Sequence, residues 1–308
     1  MRFSFWADTG KPWDKVVEAC SHAEATGWDG VWVADHFMPN VDGYDPTADP
    51  SDTELAPMLE AWTMLGGLAA TVPRVRLGTM VTGNTYRHPA VLANMAATVD
   101  HISGGRVVLG IGAGWQENEH HRYGLELGSV AERSDRFEEA CEVLRALCRD
   151  ERVDFDGRYY QLTAAPMAPK PVQKPLPLLV GGGGERRTLR TAARFADEWN
   201  VWGSPDDLRH KIRVLERHCA DVGRDPADIE KSAAALMIMT DTEELAEQFR
   251  AGLAHRGGLV GTVEQLREIV ADYVAAGVDE VIVPEFTMTP ENRNETLDRF
   301  RAEVIEQV

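Results

Sequence analysis

Residues 75–112 read VRLGTMVTGNTYRHPAVLANMAATVDHISGGRVVLGIG, and the order of elements in this stretch decides the fold. Val75–Thr82 (VRLGTMVT) is a β-rich apolar run, and Pro89 opens a helix. Val91, Met95, Val99 and Ile102 are spaced as one helical stripe. Ser103-Gly104-Gly105 ends that helix, and Val107–Gly112 is a second strand. Two apolar strands joined by a helix make a parallel β/α unit, because parallel neighbours need a crossover.

The alternation continues in both directions. Towards the N-terminus, Arg2–Ala7 is a strand, and Trp13, Val16, Val17 and Cys20 follow Pro12 at helical spacing. Gly27 ends that helix, Gly30–Asp35 (GVWVAD) is the next strand, and Met58–Thr71 is helical. Towards the C-terminus, Ala131–Arg149 is a helix with Phe137, Cys141, Leu144 and Cys148 on one face. Strands follow at Pro175–Val180 and Glu198–Trp202. Ser204-Pro205-Asp206-Asp207 then caps a helix that turns Leu208, Ile212, Leu215 and Cys219 inward. Ser232–Met239 reads as one strand, followed by a long helical stretch restarted by the capping box Thr262-x-x-Gln265. Val278–Pro284 is the last strand, and Thr289-Pro290-Glu291 starts the closing helix.

Eight such units predict an α/β chain folded as a single (β/α)8 TIM barrel, one domain over residues 1–308. An open doubly wound sheet usually needs only five or six strands. Two insertions interrupt the pattern. Phe37–Pro57 follows strand 2, on the face where barrel enzymes place their active sites. Glu151–Lys174 lies between helix 4 and strand 5. It contains the hairpin signal Asp156-Gly157, and it is read either as an excursion or as a lid over that same face.

Composition narrows the partners. The 308 residues hold 32 Lys+Arg against 50 Asp+Glu, a net charge of −18. Such a surface repels nucleic acid and anionic membranes alike. No apolar run reaches the roughly 18 residues of a membrane span. The N-terminus enters a strand directly, without a signal-peptide pattern. Cys20, Cys141, Cys148 and Cys219 are scattered and form no CxxC. The expectation is a cytoplasmic protein acting on a small molecule.

In a barrel, chemistry is sought at the C-terminal strand ends. Strand 2 ends in Asp35-His36-Phe37, a titratable pair at a rim position that is otherwise a turn cap and a surface histidine. Strand 3 ends in Met80-Val81-Thr82-Gly83-Asn84, small and branched residues that suit either core packing or close approach of a flat ligand. Strand 4 runs into Gly110-Ile111-Gly112-Ala113-Gly114, which lacks the third glycine of a dinucleotide fingerprint but delivers Asn118 and Glu119 to the rim. Strand 5 ends in Gly181-Gly182-Gly183-Gly184 before Glu185-Arg186-Arg187. That run is either a flexible turn or a phosphate cradle of backbone amides backed by arginine.

Other barrel chemistries lack their residues. None of the six lysines stands at an inner strand end, as Schiff-base catalysis requires. There is no HExxH and no HxH on strand 1, so no metal is expected. Glu119 and Glu285 are not spaced to suggest glycoside hydrolysis.

Several segments carry a resemblance: Trp28–Phe37 (WDGVWVADHF), Tyr86–Ala93 (YRHPAVLA), Asp100–Arg106 (DHISGGR), Gly112–Trp115 with Glu117–His120, and Gly181–Gly184 through Ala196–Asn200. In this order the chain resembles the bacterial luciferase-like superfamily of flavin and deazaflavin enzymes, in its coenzyme F420-dependent branch. The resemblance implies an F420-dependent oxidoreductase, with an FMN-dependent monooxygenase on the same scaffold as the alternative. It implies that Asp35 and His36 lie beside the reactive ring carbon, with His36 stabilising or protonating the developing charge. Met80-Val81 would form a bulge, often with a non-prolyl cis peptide, behind the ring. Asn118 would bond the cofactor, and Gly182, Gly183, Gly184 and Arg186 would hold its phosphate. It also implies a homodimer through helices 2 and 3. The sugar-phosphate dehydrogenases of this branch carry tryptophan where Asn40 stands and an acid where Trp115 stands, so sugar-phosphate oxidation is not expected.

Overall fold

A computed structural model describes residues 1–40, 54–252 and 258–308. In chain order it contains β1 (Arg2–Ala7), α1 (Trp13–Ala25), β2 (Gly30–Asp35), α2 (Ala61–Thr71), β3 (Arg76–Gly83), α3 (Pro89–Ser103) and β4 (Val107–Gly112). Next come α4 (Glu117–Tyr123), α5 (Val130–Arg149), β5 (Arg152–Asp156), β6 (Gln161–Pro166), β7 (Leu178–Gly181), α6 (Thr188–Phe195), β8 (Glu198–Trp202) and α7 (Pro205–Val222). The chain closes with β9 (Glu230–Ala234), β10 (Leu236–Met239), α8 (Glu243–Gly252), β11 (Gly258–Gly261), α9 (Val263–Ala275), β12 (Glu280–Pro284) and α10 (Arg293–Glu303).

Eight strands form a closed barrel in the order β1-β12-β9-β8-β7-β4-β3-β2. This is the (β/α)8 architecture that the alternation predicts. By contacts the chain divides into two compact units. One comprises Met1–Asp8, Glu18–Trp32 and Gly182–Val308, and the other Thr9–Val17 and Val33–Gly181. For brevity they are the C-terminal and the central unit.

Helix boundaries follow their caps. Pro89 occupies the first turn of α3, where its missing N–H costs nothing, and Gly104 closes the helix at φ 69°. Ser129 with Glu132 and Ser204 with Asp207 form reciprocal capping boxes at α5 and α7. Near the start of β4, one guanidinium collects loose ends: Arg106 donates to the carbonyls of Ser103, Ala69, Val72 and Val75. These include the last carbonyls of α2, which have no partner within the helix.

Four local expectations change. Of the expected stripe on α3, Val99 is buried but Val91 and Ile102 are exposed, and the buried face is made mainly by Leu92, Ala93, Ala96 and Ala97. Small residues let this helix lie close to its neighbours, a preference that a search for large apolar side chains misses. The expected strand Ser232–Met239 is broken after β9, and β10 pairs in parallel with β11 in a separate two-stranded sheet. The uniform run SAAALMIM gives no punctuation to mark that exit. The long helical stretch is α8, β11 and α9, with 253–257 outside the described residues. Between β4 and the helix expected from Ala131, where the sequence reading places no helix, Asn118 and Glu119 lie on the short helix α4.

Of the first insertion, 41–53 lie outside the described residues. The second forms the antiparallel β5–β6 hairpin. Glu139 of α5 accepts from the backbone N–H groups of Arg158, Tyr159 and Tyr160 and so fixes the turn. At its tip, Tyr160 Oη accepts from Asn84 Nδ2 at 3.2 Å and packs edge-on against His88.

Candidate active site

The end of β2 carries Asp35 and His36, and the two have different surroundings within the central unit. Asp35 is fully buried. Arg87 grips both of its oxygens, at 2.6 and 3.1 Å, and also pairs with Glu60. Thr82 bonds Asp35 while accepting from the Trp62 indole at 2.9 Å. Burial raises the Asp35 pKa, and the Arg87 charge opposes that shift without cancelling it. Glu60 caps α2 by accepting from Trp62 N and Thr63 N. Burial alone would raise its pKa, but hydrogen bonds from Thr63 and the charge of Arg87 take it below the usual range.

His36 keeps 19% of its side chain exposed. Its Nδ1 lies 2.8 Å from Oε1 of Glu119, a residue with no exposed surface. The Tyr86 hydroxyl donates to the same Oε1, and Phe37 N donates to Oε2 at 2.8 Å. Burial, then the Glu119 charge, push the Tyr86 hydroxyl pKa far up, so it stays a donor. Trp115 stands edge-on to His36 at 5.5 Å and is more than half exposed.

α4 holds this arrangement. Gln116 Nε2 donates to Met38 O, Asn118 Nδ2 to Pro39 O at 2.9 Å, and Glu119 receives Phe37 N. One helical turn therefore fastens the segment leaving β2. The signal for this helix was present: acids at Glu117 and Glu119, bases at His120–Arg122, and Gly124 in the left-handed conformation at its end. The sequence does not reveal the structural role of Glu119, because its partners Tyr86, Phe37 and His36 lie 33, 82 and 83 positions away. Asn118 Oδ1 is buried and, among the described residues, has no hydrogen-bond partner.

On β3, the Met80–Val81 peptide is cis, and the β3–β4 register shifts between Gly78 and Thr82. The bulge fills space next to glycines. A Cβ on Gly112 would come 3.0 Å from Val81 Cγ2, and one on Gly181 would come 2.8 Å from Val81 Cγ1.

In the C-terminal unit, the rest of the glycine run is less uniform than expected. Gly182 N donates to Asn200 O at 2.9 Å, so that amide is committed to backbone pairing. The Gly183 carbonyl accepts from Lys211 Nζ, and the Gly182 carbonyl from the Trp199 indole. Among the described residues, the amides of Gly183 and Gly184 donate to nothing. α6 begins only at Thr188, after a turn through Glu185–Arg187. No three potential metal ligands gather among the described residues, and no described helix is long and apolar enough to cross a membrane.

A family profile described as luciferase-like monooxygenase matches residues 1–256. An uncharacterised protein of Mycobacterium tuberculosis is 33% identical over 208 residues, covering 66% of this chain and 73% of that protein. The F420-dependent glucose-6-phosphate dehydrogenase of Kineococcus radiotolerans is 38% identical over 186 residues, covering 59% of this chain and 50% of that protein. A solved F420-dependent secondary alcohol dehydrogenase, in complex with an F420–acetone adduct, superposes with TM-score 0.82 at 24% identity. It covers 99% of this chain and 98% of its own, a likeness of fold.

Proposed function

The chain belongs to the luciferase-like monooxygenase family and is an oxidoreductase; we propose that it uses the deazaflavin coenzyme F420 to exchange a hydride with a small organic substrate. The observation that carries this reading is the tie between His36 Nδ1 and the buried Glu119. It leaves Nε2 as the ring nitrogen available to substrate, as a proton-transfer partner to hydride chemistry needs.

The chain has groups that fit such a cofactor. Asn118 Oδ1 is a buried acceptor without a donor, and an imide N–H of the ring would satisfy it. Met80 and Val81 would back the ring, and Asp35, held by Arg87, would lie beside it. The free amides of Gly183 and Gly184, with Arg186, would hold the phosphate, while Gly182 would contribute backbone shape rather than a donor. When bound, the deazaflavin supplies the carbon that accepts or gives the hydride. His36 Nε2 takes the proton from a substrate hydroxyl, or returns it to a carbonyl oxygen in the reverse direction. Glu119 keeps Nδ1 as the protonated nitrogen and offsets the charge that His36 gains, and Tyr86 keeps Glu119 in place.

The test is equilibrium titration of the purified protein with F420 and with FMN, each oxidised and reduced. Tight binding of F420 alone supports the reading. Binding of FMN alone supports the FMN-dependent monooxygenase instead, and binding of neither removes both. In His36→Ala, turnover should fall about 100- to 10,000-fold with cofactor affinity nearly retained, and full activity would remove His36 from the mechanism.

The same reading makes the protein a cytoplasmic homodimer joined through α2 and α3. The exposed Val91 and Ile102 and the open space over Gly66 support that surface. Sedimentation equilibrium decides the oligomeric state.

A further inference from the structure

The inward face of β1 carries a group that the proposed mechanism does not use. Phe3 packs edge-on against Phe300 of α10, so Phe3 and Phe5 point outward and Ser4 and Trp6 point into the barrel. Trp6 stands 5.8 Å from Trp202 at the end of β8. In the barrel order β12 and β9 separate those two strands, so the rings meet through the lumen. Phe286, in the turn after β12, closes on Trp6 from the rim at 5.4 Å and is 52% exposed. All three rings therefore stand at or just beyond the C-terminal ends of their strands, within the C-terminal unit. Trp6 itself is only 6% exposed, yet its Nε1–H has no hydrogen-bond partner among the described residues.

A buried indole N–H is a donor that cannot accept, and leaving it unpaired costs free energy comparable to a lost hydrogen bond. Trp6, Trp202 and Phe286, the last opening to solvent, form a largely apolar wall in which the Trp6 N–H is a buried donor without a partner among the described residues. Phosphate recognition calls for clustered cations or several converging amides, and this wall consists of aromatic rings whose polar atoms are neutral indole N–H groups.

We propose that Trp6, Trp202 and Phe286 form the substrate subsite, and that it selects neutral, ring-bearing carbonyl compounds and their alcohols. The rings hold the apolar body, and Trp6 Nε1–H donates to the oxygen. This rests on the proposed oxidoreductase function for its meaning, but its test does not require cofactor.

The probe is cyclohexanone, added to cofactor-free protein labelled with 15N in its tryptophans. The Trp6 indole resonance, assigned from Trp6→Phe, should move downfield and saturate, whereas cyclohexane should perturb it without that shift. Phe286→Ala, at an exposed position, should weaken cyclohexanone binding about threefold, the loss of one ring contact. In the holoenzyme, Trp6→Phe should raise KM for cyclohexanone about tenfold, the loss of one neutral hydrogen bond, with a much smaller change in kcat. An unmoved Trp6 resonance, or one that responds to glucose 6-phosphate and not to cyclohexanone, overturns the proposal. A failed F420 titration with a normal cyclohexanone shift refutes the cofactor and leaves the subsite standing.

Discussion

At the end of β2, polar side chains answer one another: Arg87 with Asp35 and Glu60, Glu119 with His36, Tyr86 and Phe37 N. At Gly183 and Gly184 the backbone presents amides that no described residue uses. The first region fixes the orientation of its groups before any ligand arrives. The second offers donors whose partner must come from outside. A site that orients a reacting atom benefits from the first kind of preorganisation, and a site that grips an anionic tail needs only the second.

Each region answers to its own substitutions. The largest effect is expected from Arg87→Met, which leaves the Asp35 carboxylate buried and unpaired. Removing one partner of a buried ion pair costs about 3–5 kcal/mol, so chemical denaturation should show a loss of that size. A loss below 1 kcal/mol would mean that Asp35 is protonated in the wild type. Next, Glu119→Gln keeps the size of the side chain but not its charge. Turnover should fall about tenfold to hundredfold, with KM for substrate nearly constant, and steady-state kinetics separate the two.

On the other side, Gly183→Ala would place a Cβ 2.9 Å from Val201 Cγ2 and 3.1 Å from Lys211 Cε. The loop must shift, and affinity for the cofactor should drop about 3- to 10-fold, the value of one misplaced donor. Stability should scarcely change, in contrast to Arg87→Met. The smallest effect is on acid stability. Glu60 has its pKa lowered in the fold, so its contribution is present above the ordinary carboxylate range and lost as pH falls through the folded value. Its exposure keeps that contribution below about 1 kcal/mol. Asp35, with its pKa raised, works in the opposite sense, because protonation relieves its burial. Glu60→Gln should therefore flatten the acid limb of the stability curve between about pH 5 and 3.

The barrel was legible because its signals are local. Strand runs such as GVWVAD and VVLGIG, and caps at Ser204 and Thr262, each speak within a few residues. What escaped was non-local or unpunctuated: the exit of the chain after Ala234, and the small-residue face of α3. The rim positions His36, Asn118 and Gly183 were nameable from strand ends alone. Their partners were not, because Arg87 meets Asp35 and Glu119 meets His36 only after the strands have closed. The commitment of the Gly182 amide likewise follows from strand pairing, which no glycine count reveals.

Glu119 holds its two oxygens to different tasks, one towards the imidazole and one towards the backbone of Phe37. Any replacement there alters the chemistry and the path of the chain together, so the position offers little freedom for gradual adaptation. Trp115, which touches the same imidazole from a largely solvent-facing side, carries no such double duty. New specificities in descendants or in laboratory libraries are accordingly expected to accumulate at 115 while 119 stays constant.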